Sequence, residues 1–257
     1  MGRWSIWWGV AHDQGPRPSD EDAWCVLPGL DGREGTLWAG VFDGHGGAEA
    51  ARLAASHLPR LFREAWQASS GAWEERVRMA FTRAYTEASL LIGRQTSSGT
   101  TAATVWVTPE GIGYAHVGDS RIVLAQGGEV KRLTRDHKVS DRQEYARLVA
   151  RGARFWGPYI VLPGGEGLAV ARALGDRAFS PFVIPDPDVG FLPPLAGERT
   201  LILACDGLWD VVEDDEAAGI ATGEEDVQRA AQALVEEALA RGTTDNVTVV
   251  VVRVRGG

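Results

Sequence analysis

Four apolar, strand-like runs in this sequence each end or begin beside an aspartate, and this pattern constrains the fold most strongly. Apolar runs of this length that are rich in β-branched residues are typical of buried strands. A carboxylate at the boundary of such a strand is carried on a rigid scaffold. If the strands lie side by side, the carboxylates meet. The four pairs are 37–42 with Asp43, 112–117 with Asp119, 200–205 with Asp206, and 247–254 with Asp245.

Convergence of these carboxylates would require a cation or shared protons. Two like charges about 4 Å apart repel by roughly 4 kcal/mol at an effective dielectric constant near 20. Ligation by oxygen alone favours hard divalent ions, so magnesium or manganese is expected before zinc. The alternative is four solvated loop aspartates, because aspartate is a common turn residue. Four repeats of the same context favour the metal centre.

Length and composition indicate one soluble domain. The chain has 257 residues, of which 44% are apolar, and we find no linker-like segment, so residues 1–257 are expected to form a single domain. The net charge is -9, and no cluster of basic residues is long enough to follow a nucleic-acid backbone. No run approaches the roughly eighteen apolar residues of a membrane helix. Nucleic acid and membrane are therefore not expected as partners.

The two cysteines, Cys25 and Cys205, are too few for a disulfide framework. The segment 1–9 does not have the form of a signal peptide, so a cytoplasmic protein is expected. Cys205 precedes Asp206 in an extended run. We expect its side chain to point to the opposite face and to act as a small hydrophobic group rather than a nucleophile.

The order of predicted elements indicates an α+β protein. Apolar residues at three- and four-residue steps predict an antiparallel helix pair, and further helices are expected before Gly152 and Gly242. Strands joined by tight turns predict an antiparallel meander. Without regular βαβ alternation, an antiparallel sheet core flanked by helices is favoured. The predicted helices are 48–66, 77–91, 141–151 and 225–241; the predicted strands include 6–11, 23–27, 36–42 and the meander 101–108, 112–117, 122–126 and 129–133.

The most specific segment for chemistry is 41–47, with the sequence VFDGHGG, between a predicted strand and the first helix. Its glycines allow the backbone to approach a ligand, and the helix that follows favours anions. A dinucleotide-binding fingerprint does not fit, because its sixth position, counted from Gly44, is Glu49. Asp43 would repel a bare phosphate, whereas a metal on Asp43 would attract one.

Two further groups of residues are candidates for this chemistry. Arg17 offers the forked donor set that suits two phosphate oxygens, although it could instead pair with Asp20 or Glu21. Glu21 and Asp22 could bind a metal directly or hold its waters. His45 could protonate a departing alkoxide, although an isolated histidine is more often a structural hydrogen-bonding group. The other histidines, His116 and His137 among them, are interpreted as structural.

Taken in chain order, a set of short motifs resembles the protein phosphatase 2C family, the metal-dependent serine/threonine phosphatases also called PPM phosphatases. The resemblance runs from about residue 5 to residue 254. The motifs are Arg17-x-x-x-Glu21-Asp22, VFDGHGG at 41–47, SGTTA at 98–102, GDSR at 118–121, LAVARALGD at 168–176, CDGLWD at 205–210 and DNVT at 245–248.

The resemblance implies an αββα four-layer sandwich, in which two antiparallel β-sheets are flanked by helix pairs. It also implies a centre with two Mn²⁺ or Mg²⁺ ions per subunit and a weaker third. In this centre Asp43 bridges two metals and the carbonyl of Gly44 binds one of them. Asp206 and Asp245 hold the other ion, and Asp119 with Asp206 matches the third site. Glu21 and Asp22 match positions that contact metal through water.

The implied activity is hydrolysis of phosphoserine and phosphothreonine by direct attack of a metal-bridging hydroxide. Arg17 would hold the phosphoryl oxygens, and His45 would protonate the leaving oxygen. The stretch at about 139–167 corresponds to the family's variable flap. We expect phosphorylated proteins and their cognate kinases as partners and a monomeric chain. The alternatives are a catalytically inactive relative that binds phosphoproteins, and a calcium-binding module. The sequence does not contain the dense D-x-D-x-D-G loop that calcium-binding modules use.

Overall fold

The computed structural model describes residues 4–194 and 197–256. The α-helices within these residues are α1 (Glu49–Ala68), α2 (Trp73–Gln95), α3 (Arg142–Ala150), α4 (Asp206–Trp209), α5 (Asp214–Gly223) and α6 (Val227–Ala240). The strands are β1 (Ser5–Asp13), β2 (Ala23–Pro28), β3 (Leu37–Phe42), β4 (Gly44–His45), β5 (Gly99–Thr100), β6 (Ala102–Thr108), β7 (Gly111–Val117), β8 (Arg121–Gln126), β9 (Glu129–Arg132), β10 (Arg154–Trp156), β11 (Tyr159–Val161), β12 (Gly167–Leu168), β13 (Leu174–Gly175), β14 (Asp188–Leu192), β15 (Gly197–Ala204) and β16 (Val247–Gly256).

Two five-stranded antiparallel sheets form the centre of the molecule. One has the strand order β1-β16-β15-β8-β9 and the other has the order β14-β7-β6-β3-β2. Apolar side chains from both sheets, such as Val41, Leu203 and Val250, form a buried layer between them. Strands covered on both faces read as continuous apolar runs, which explains the valine-rich sequence of β16.

Helices cover the outer face of each sheet. The helices α1 and α2 pack on the second sheet through a core that contains Trp38 and Trp106. The helices α5 and α6 pack on the first sheet around Ile202 and Leu234. The predicted αββα sandwich of the α+β class is therefore confirmed. Within the described residues, no helix is both long and apolar enough to cross a membrane.

The prediction of a continuous meander over 101–133 is wrong at its middle turn. Strand β6 pairs with β7 and β8 pairs with β9, but β7 and β8 belong to different sheets. The segment 118–120 carries the chain across the sandwich, with Gly118 at a φ of 87°. From the sequence alone, a short turn that contains glycine is compatible both with a hairpin within one sheet and with a connection that passes to the other sheet. The crossing places Asp119 where the two sheets meet at one end.

The four predicted helices agree with the structure, but the short helix α4 and helix α5 were not predicted. Asp141 and Asp226 cap α3 and α6 by accepting backbone N–H groups, and Gly152 and Gly242 follow these helices with positive φ. Helix α5 was missed because it is short and contains Gly219, which weakens the helical pattern. The region of the predicted flap contains α3 and a small sheet of β10, β11 and β12 with its own apolar core.

Candidate metal centre

Three of the predicted aspartates come together at one end of the sandwich. Asp43 follows β3, Asp119 lies in the crossing between the sheets, and Asp206 begins α4 directly after β15. One carboxylate oxygen from each lies within 4.8 Å of the others. We call these three residues the carboxylate centre. The backbone of Asp43 is fixed by Thr101, which exchanges two hydrogen bonds with it at 2.9 and 3.2 Å.

The carboxylate centre carries more negative charge than its surroundings neutralise. Shielding from solvent and repulsion from Asp206 raise the pKa of Asp43 well above its usual value. Burial, together with Asp119 and Asp210, raises the pKa of Asp206 to about 8. Burial also raises the pKa of Asp119, although the ammonium of Lys138 opposes this shift. Converging oxygen donors with raised pKa values fit a hard divalent cation, and the residues present therefore fit the metals that the sequence resemblance implies.

Lys138 is a neighbour of the centre that sequence reasoning did not find. Its Nζ lies 3.5 Å from Asp119 Oδ2 and 3.5 Å from Asp210 Oδ1. The sequence contains only two lysines, Lys131 and Lys138, among 26 basic residues. The sequence did not indicate that Lys138, shortly before a predicted helix, would contact these carboxylates. The contact joins its loop to the end of α4 and to the crossing between the sheets, which are distant along the chain.

Asp245 lies in the same cleft, where its carboxylate pairs with Arg17. The Nη2 atom of Arg17 donates to Asp245 Oδ2 at 2.6 Å, and its Nε donates to the carbonyl of Thr244 at 3.0 Å. Arg17 therefore does not form the pairs with Asp20 or Glu21 that were considered as alternatives. Its side chain is 52% exposed at the edge of the cleft that contains Asp43 and Asp206.

Asn246 holds the loop that carries Arg17. Its Nδ2 donates to the carbonyls of Gln14 at 2.7 Å and Ser19 at 3.1 Å, and its Oδ1 accepts the N–H of Glu21 at 3.0 Å. Because Asn246 is adjacent to Asp245, one segment fixes both a candidate ligand and the position of the guanidinium. The DNVT motif contained this residue, but its spacing alone did not indicate the contact.

Glu21 and Asp22 differ in their surroundings. Glu21 lines the cleft and accepts the N–H of Gly47 at 3.1 Å. Asp22 is buried behind Asp43, accepts a hydrogen bond from Thr248 Oγ1 at 2.6 Å, and has a pKa raised by burial to about 6. The position of Gly44 requires glycine, because a Cβ atom there would overlap the carbonyl oxygen of Glu21.

Cys205 is closer to the aspartates than predicted. It is buried in the layer between the sheets, which agrees with the expected hydrophobic role. Its Sγ, however, lies within 4.8 Å of ligand oxygens from Asp22 and Asp43, a proximity that the sequence did not indicate. The residue lies at the end of β15, and the chain turns there into α4. Burial raises the pKa of this thiol well above its usual value, which keeps it protonated.

His45 is held by a partner that the sequence did not reveal. Its Nε2 lies 2.7 Å from Oδ2 of Asp176, whose side chain is buried. Burial alone would lower the pKa of His45, but the hydrogen bond and charge of Asp176 outweigh this effect and raise it. Asp176 has a φ of 47°, in the left-handed region that is unusual for a residue with a side chain. The LAVARALGD motif contained Asp176, but 131 residues separate it from His45.

The small flap sheet forms one wall of the cleft. Tyr159, which is 41% exposed, and the segment 167–170 line the same cleft as Arg17. Trp156 pairs with Tyr159 across the β10–β11 hairpin and is 75% exposed. An exposed aromatic side chain thus lines the cleft, and a second one lies next to it in the flap sheet.

Comparisons with known proteins agree with the geometry of the site. Residues 11–247 match the family model described as Protein phosphatase 2C. The chain is 36% identical over 261 residues to the probable protein phosphatase 2C 59 of Oryza sativa subsp. japonica, which covers 96% of this chain and 75% of that protein.

Two solved structures have the same fold. The serine-threonine phosphatase 2C from Toxoplasma gondii superimposes with a TM-score of 0.87 at 24% identity, covering 96% of this chain and 94% of that chain. The catalytic domain of the serine threonine protein phosphatase PstP, in complex with 2 manganese ions, has a TM-score of 0.67 at 23% identity, covering 99% and 100%.

Proposed function

The chain belongs to the protein phosphatase 2C family, and we propose that its carboxylate centre is where it hydrolyses phosphoserine and phosphothreonine in proteins. The observation that carries this proposal is that Asp43, Asp119 and Asp206 lie together. Positively charged side chains nearby neutralise their charge only in part. A phosphorylated substrate, which is itself negative, could approach such a site only when cations occupy it. No finding favours the catalytically inactive alternative.

Two Mn²⁺ or Mg²⁺ ions, with a weaker third, are the proposed metals. The manganese in the PstP structure supports the choice of ion. When bound, such ions neutralise the carboxylates and supply Lewis-acid chemistry that polarises phosphoryl oxygens and acidifies water. The proposed ligands and water-mediated contacts are Asp43, the carbonyl of Gly44, Asp119, Asp206, Asp245, Glu21 and Asp22.

Arg17 is proposed to bind the phosphoryl group. Its guanidinium lies at the edge of the cleft, and Asn246 fixes the loop that carries it. The ion pair with Asp245 keeps the guanidinium directed along the cleft wall. A planar, forked donor set can contact two phosphoryl oxygens at once, which orients the phosphorus toward the centre.

His45 is proposed to protonate the leaving oxygen of the serine or threonine. Asp176 engages Nε2, so Nδ1 is the ring nitrogen that remains to donate a proton to the substrate. The raised pKa of His45 favours the imidazolium that this role requires. The buried carboxylate of Asp176 fixes the ring orientation and stabilises its positive charge.

The exposed pair Trp156 and Tyr159 is proposed to contact the peptide on either side of the phosphorylated residue. Tyr159 lines the cleft together with Arg17, and Trp156 lies beside Tyr159 across the β10–β11 hairpin. Aromatic side chains gain binding energy from peptide contact at a small entropic cost. The partner kinases, the monomeric state, the single-domain limits and the cytoplasmic location remain predictions from the sequence.

The decisive experiment measures hydrolysis of a phosphothreonine peptide and of an aryl phosphate with manganese, magnesium, calcium or a chelator. We expect activity with manganese or magnesium that a chelator removes and added manganese restores. Activity that survives chelation would reject the metal-dependent proposal. Binding of the phosphopeptide without turnover in manganese would favour the inactive alternative.

A second measurement isolates His45. In His45→Ala we expect a loss of about 10²-fold or more on the phosphothreonine peptide, because general acid catalysis contributes about 10² to 10⁴-fold. The loss should be much smaller on an aryl phosphate with a good leaving group, which needs no proton. Equal losses on both substrates would remove His45 from the acid role.

A further inference from the structure

His12 begins a chain of hydrogen bonds that leads to the carboxylate centre. It lies on β1, opposite Thr248 of β16 in the sheet register, so the two side chains share one face of the sheet. His12 Nδ1 lies 2.9 Å from Thr248 Oγ1. The Thr248 hydroxyl in turn donates to Asp22 Oδ2 at 2.6 Å, and a ligand oxygen of Asp22 lies within 4.8 Å of one from Asp43. Thr248 and Asp22 thus connect His12 to the centre.

Asp20 closes this chain into a cycle of hydrogen bonds around Asp22. Its Oδ2 lies 2.7 Å from His12 Nε2, and its Oδ1 accepts the backbone N–H of Asp22 at 3.2 Å. The cycle therefore holds Asp22 twice, through its backbone and through its carboxylate. It also joins the two sheets, because His12 and Thr248 lie in the first sheet and Asp22 directly precedes β2 of the second.

The available donors fix the direction of each hydrogen bond. An ionised carboxylate only accepts, so Thr248 donates its single hydroxyl proton to Asp22 and can only accept from His12. The carboxylate of Asp20 likewise accepts from His12 Nε2. Both ring nitrogens of His12 therefore donate, and the ring is an imidazolium whose charge Asp20 balances. Thr248 is fully buried, so bulk water cannot replace His12 as the donor to its oxygen.

The His12 ring also has a packing contact. Its centroid lies 5.0 Å from that of Trp24, with 31° between the ring planes. Trp24 is 40% exposed, so this contact lies near the surface, whereas Thr248 is in the interior. A role in packing alone requires an aromatic ring but no nitrogen atoms. A role in the hydrogen-bond cycle requires a donor at the position of Nδ1, and this difference allows the two roles to be separated.

We propose that His12 is a positioning residue of the metal centre, which acts through Thr248 to hold the carboxylate of Asp22 in its orientation beside Asp43. The inference rests on the proposed function only in taking the carboxylate centre as a metal site. Without the donor of His12, the buried Thr248 oxygen loses a hydrogen bond and its hydroxyl can turn away from Asp22. Loss of a group that orients a metal-contacting side chain weakens metal affinity.

The test compares two substitutions that change the charge equally. His12→Asn retains an amide donor close to the place of Nδ1, whereas His12→Phe retains an aromatic ring against Trp24 but no donor. Manganese affinity is measured by electron paramagnetic resonance of the free ion. His12→Phe should bind manganese about fivefold or more weakly than His12→Asn, as expected for a group that orients a metal contact. Equal affinities would overturn the proposal, and so would the reverse order, which a role in packing predicts.

A Thr248→Val background tests whether His12 acts through Thr248. In this background His12→Asn and His12→Phe should have equal manganese affinities, because the hydroxyl that connects position 12 to Asp22 is absent. A difference that persists there would overturn the proposal. The matched controls are His57→Asn and His57→Phe, at a half-buried histidine on α1, which should both bind manganese as the wild type does.

A measurement on the wild-type protein decides the question even if a variant fails to fold. In saturating Mg²⁺ at pH 7, the side-chain ¹⁵N resonances of His12 should show that both ring nitrogens carry protons. An unprotonated Nδ1 would overturn the proposal. None of these measurements depends on turnover. A wild-type protein that binds no manganese would overturn the proposed function and this inference together, whereas manganese binding with equal affinities in the two His12 variants would overturn this inference alone.

Discussion

The carboxylate centre and the ion-pair network beneath the flap contain similar acidic side chains but satisfy them in opposite ways. The network consists of Glu144, Arg147, Arg172 and Asp188. Glu144 is buried, but both its oxygens accept from arginines at 2.6 to 2.9 Å, and these partners lower its pKa despite burial. In the carboxylate centre the neighbours are other aspartates, and the pKa values rise. The network is complete within the chain, whereas the centre requires cations from outside.

This difference separates structural from functional acidic residues. Buried charges that pair internally contribute to the native arrangement, and removing one partner leaves an uncompensated charge. Buried charges that repel one another reduce the stability of the metal-free chain, and a cation reverses this effect. The comparison leads to four predictions, given from the largest expected effect to the smallest.

Asp206→Asn should reduce kcat/KM on a phosphothreonine peptide by about 10³-fold or more, because the metals lose a ligand that contributes several kcal/mol to transition-state stabilisation. The measurement is steady-state kinetics at saturating manganese. The exposed Asp215→Asn on α5 is the control and should retain full activity. Activity of Asp206→Asn close to that of the control would contradict the assignment of the centre.

Glu144→Gln should lower the free energy of unfolding by about 3 kcal/mol, since it leaves two partly buried arginines without their carboxylate. Urea denaturation of the metal-free proteins at pH 7 measures this change. Glu236→Gln, at an exposed position of α6, should change stability by less than about 0.5 kcal/mol. Under the same conditions, Asp206→Asn should stabilise the metal-free protein, because folding at pH 7 then no longer requires the uptake of the proton that the raised pKa of Asp206 implies. If both substitutions destabilised the metal-free protein, the proposed difference between the ion-pair network and the carboxylate centre would be wrong.

Lys138→Met should increase the affinity of the weakest Mn²⁺ site about fivefold to tenfold. The ammonium neutralises Asp119 and Asp210 and competes with a cation there, with an interaction that solvent exposure reduces to about 1 kcal/mol. Manganese binding is measured directly by electron paramagnetic resonance of the free ion. Lys131→Met, at the other lysine of the sequence, should bind as the wild type does. Weaker binding in Lys138→Met would show that the ammonium supports the cation instead.

The pH dependence of the metal-free protein should combine two opposing slopes, which largely cancel from about pH 4 to 6.5 and leave a loss of stability from about pH 6.5 to 8. The pKa of Asp206 is raised to about 8, so the folded state holds a proton that the unfolded state has lost, and stability falls as pH rises from about 4 through 8. The pKa of His116 is lowered to about 4, so stability also falls as pH drops from about 6.5 to 4. Each slope is at most about 1.4 kcal/mol per pH unit for one proton.

Thermal denaturation across pH 4 to 9, with and without manganese, checks this prediction. Manganese should remove the loss of stability on the alkaline side, because it displaces the proton from the carboxylate centre. In the metal-free protein, His116→Asn should remove the opposing contribution, so that stability falls with rising pH from about pH 4 onward. If stability still fell with rising pH in saturating manganese, the loss would not arise from the proton on the carboxylate centre.

The sequence predicted the parts of the site that are local to strand ends. A buried run such as β3 fixes the position of the carboxylate that follows it, and this argument found Asp43, Asp119 and Asp206. It could not find Asp176 or Lys138, because each acts through a contact between segments that are distant along the chain. The crossing at Gly118 was mistaken for a hairpin, since a short turn does not reveal which sheet the next strand joins.

Each of the two sheets of the sandwich contributes some of the proposed metal ligands. Asp43 belongs to the layer of β3, whereas Asp206 and Asp245 adjoin β15 and β16 in the other layer. The affinity for cations should therefore depend on how closely the two sheets pack, and bound metals would link one sheet to the other. Val250→Ala would create a cavity in the interior between the sheets. It should weaken manganese binding although it changes no ligand.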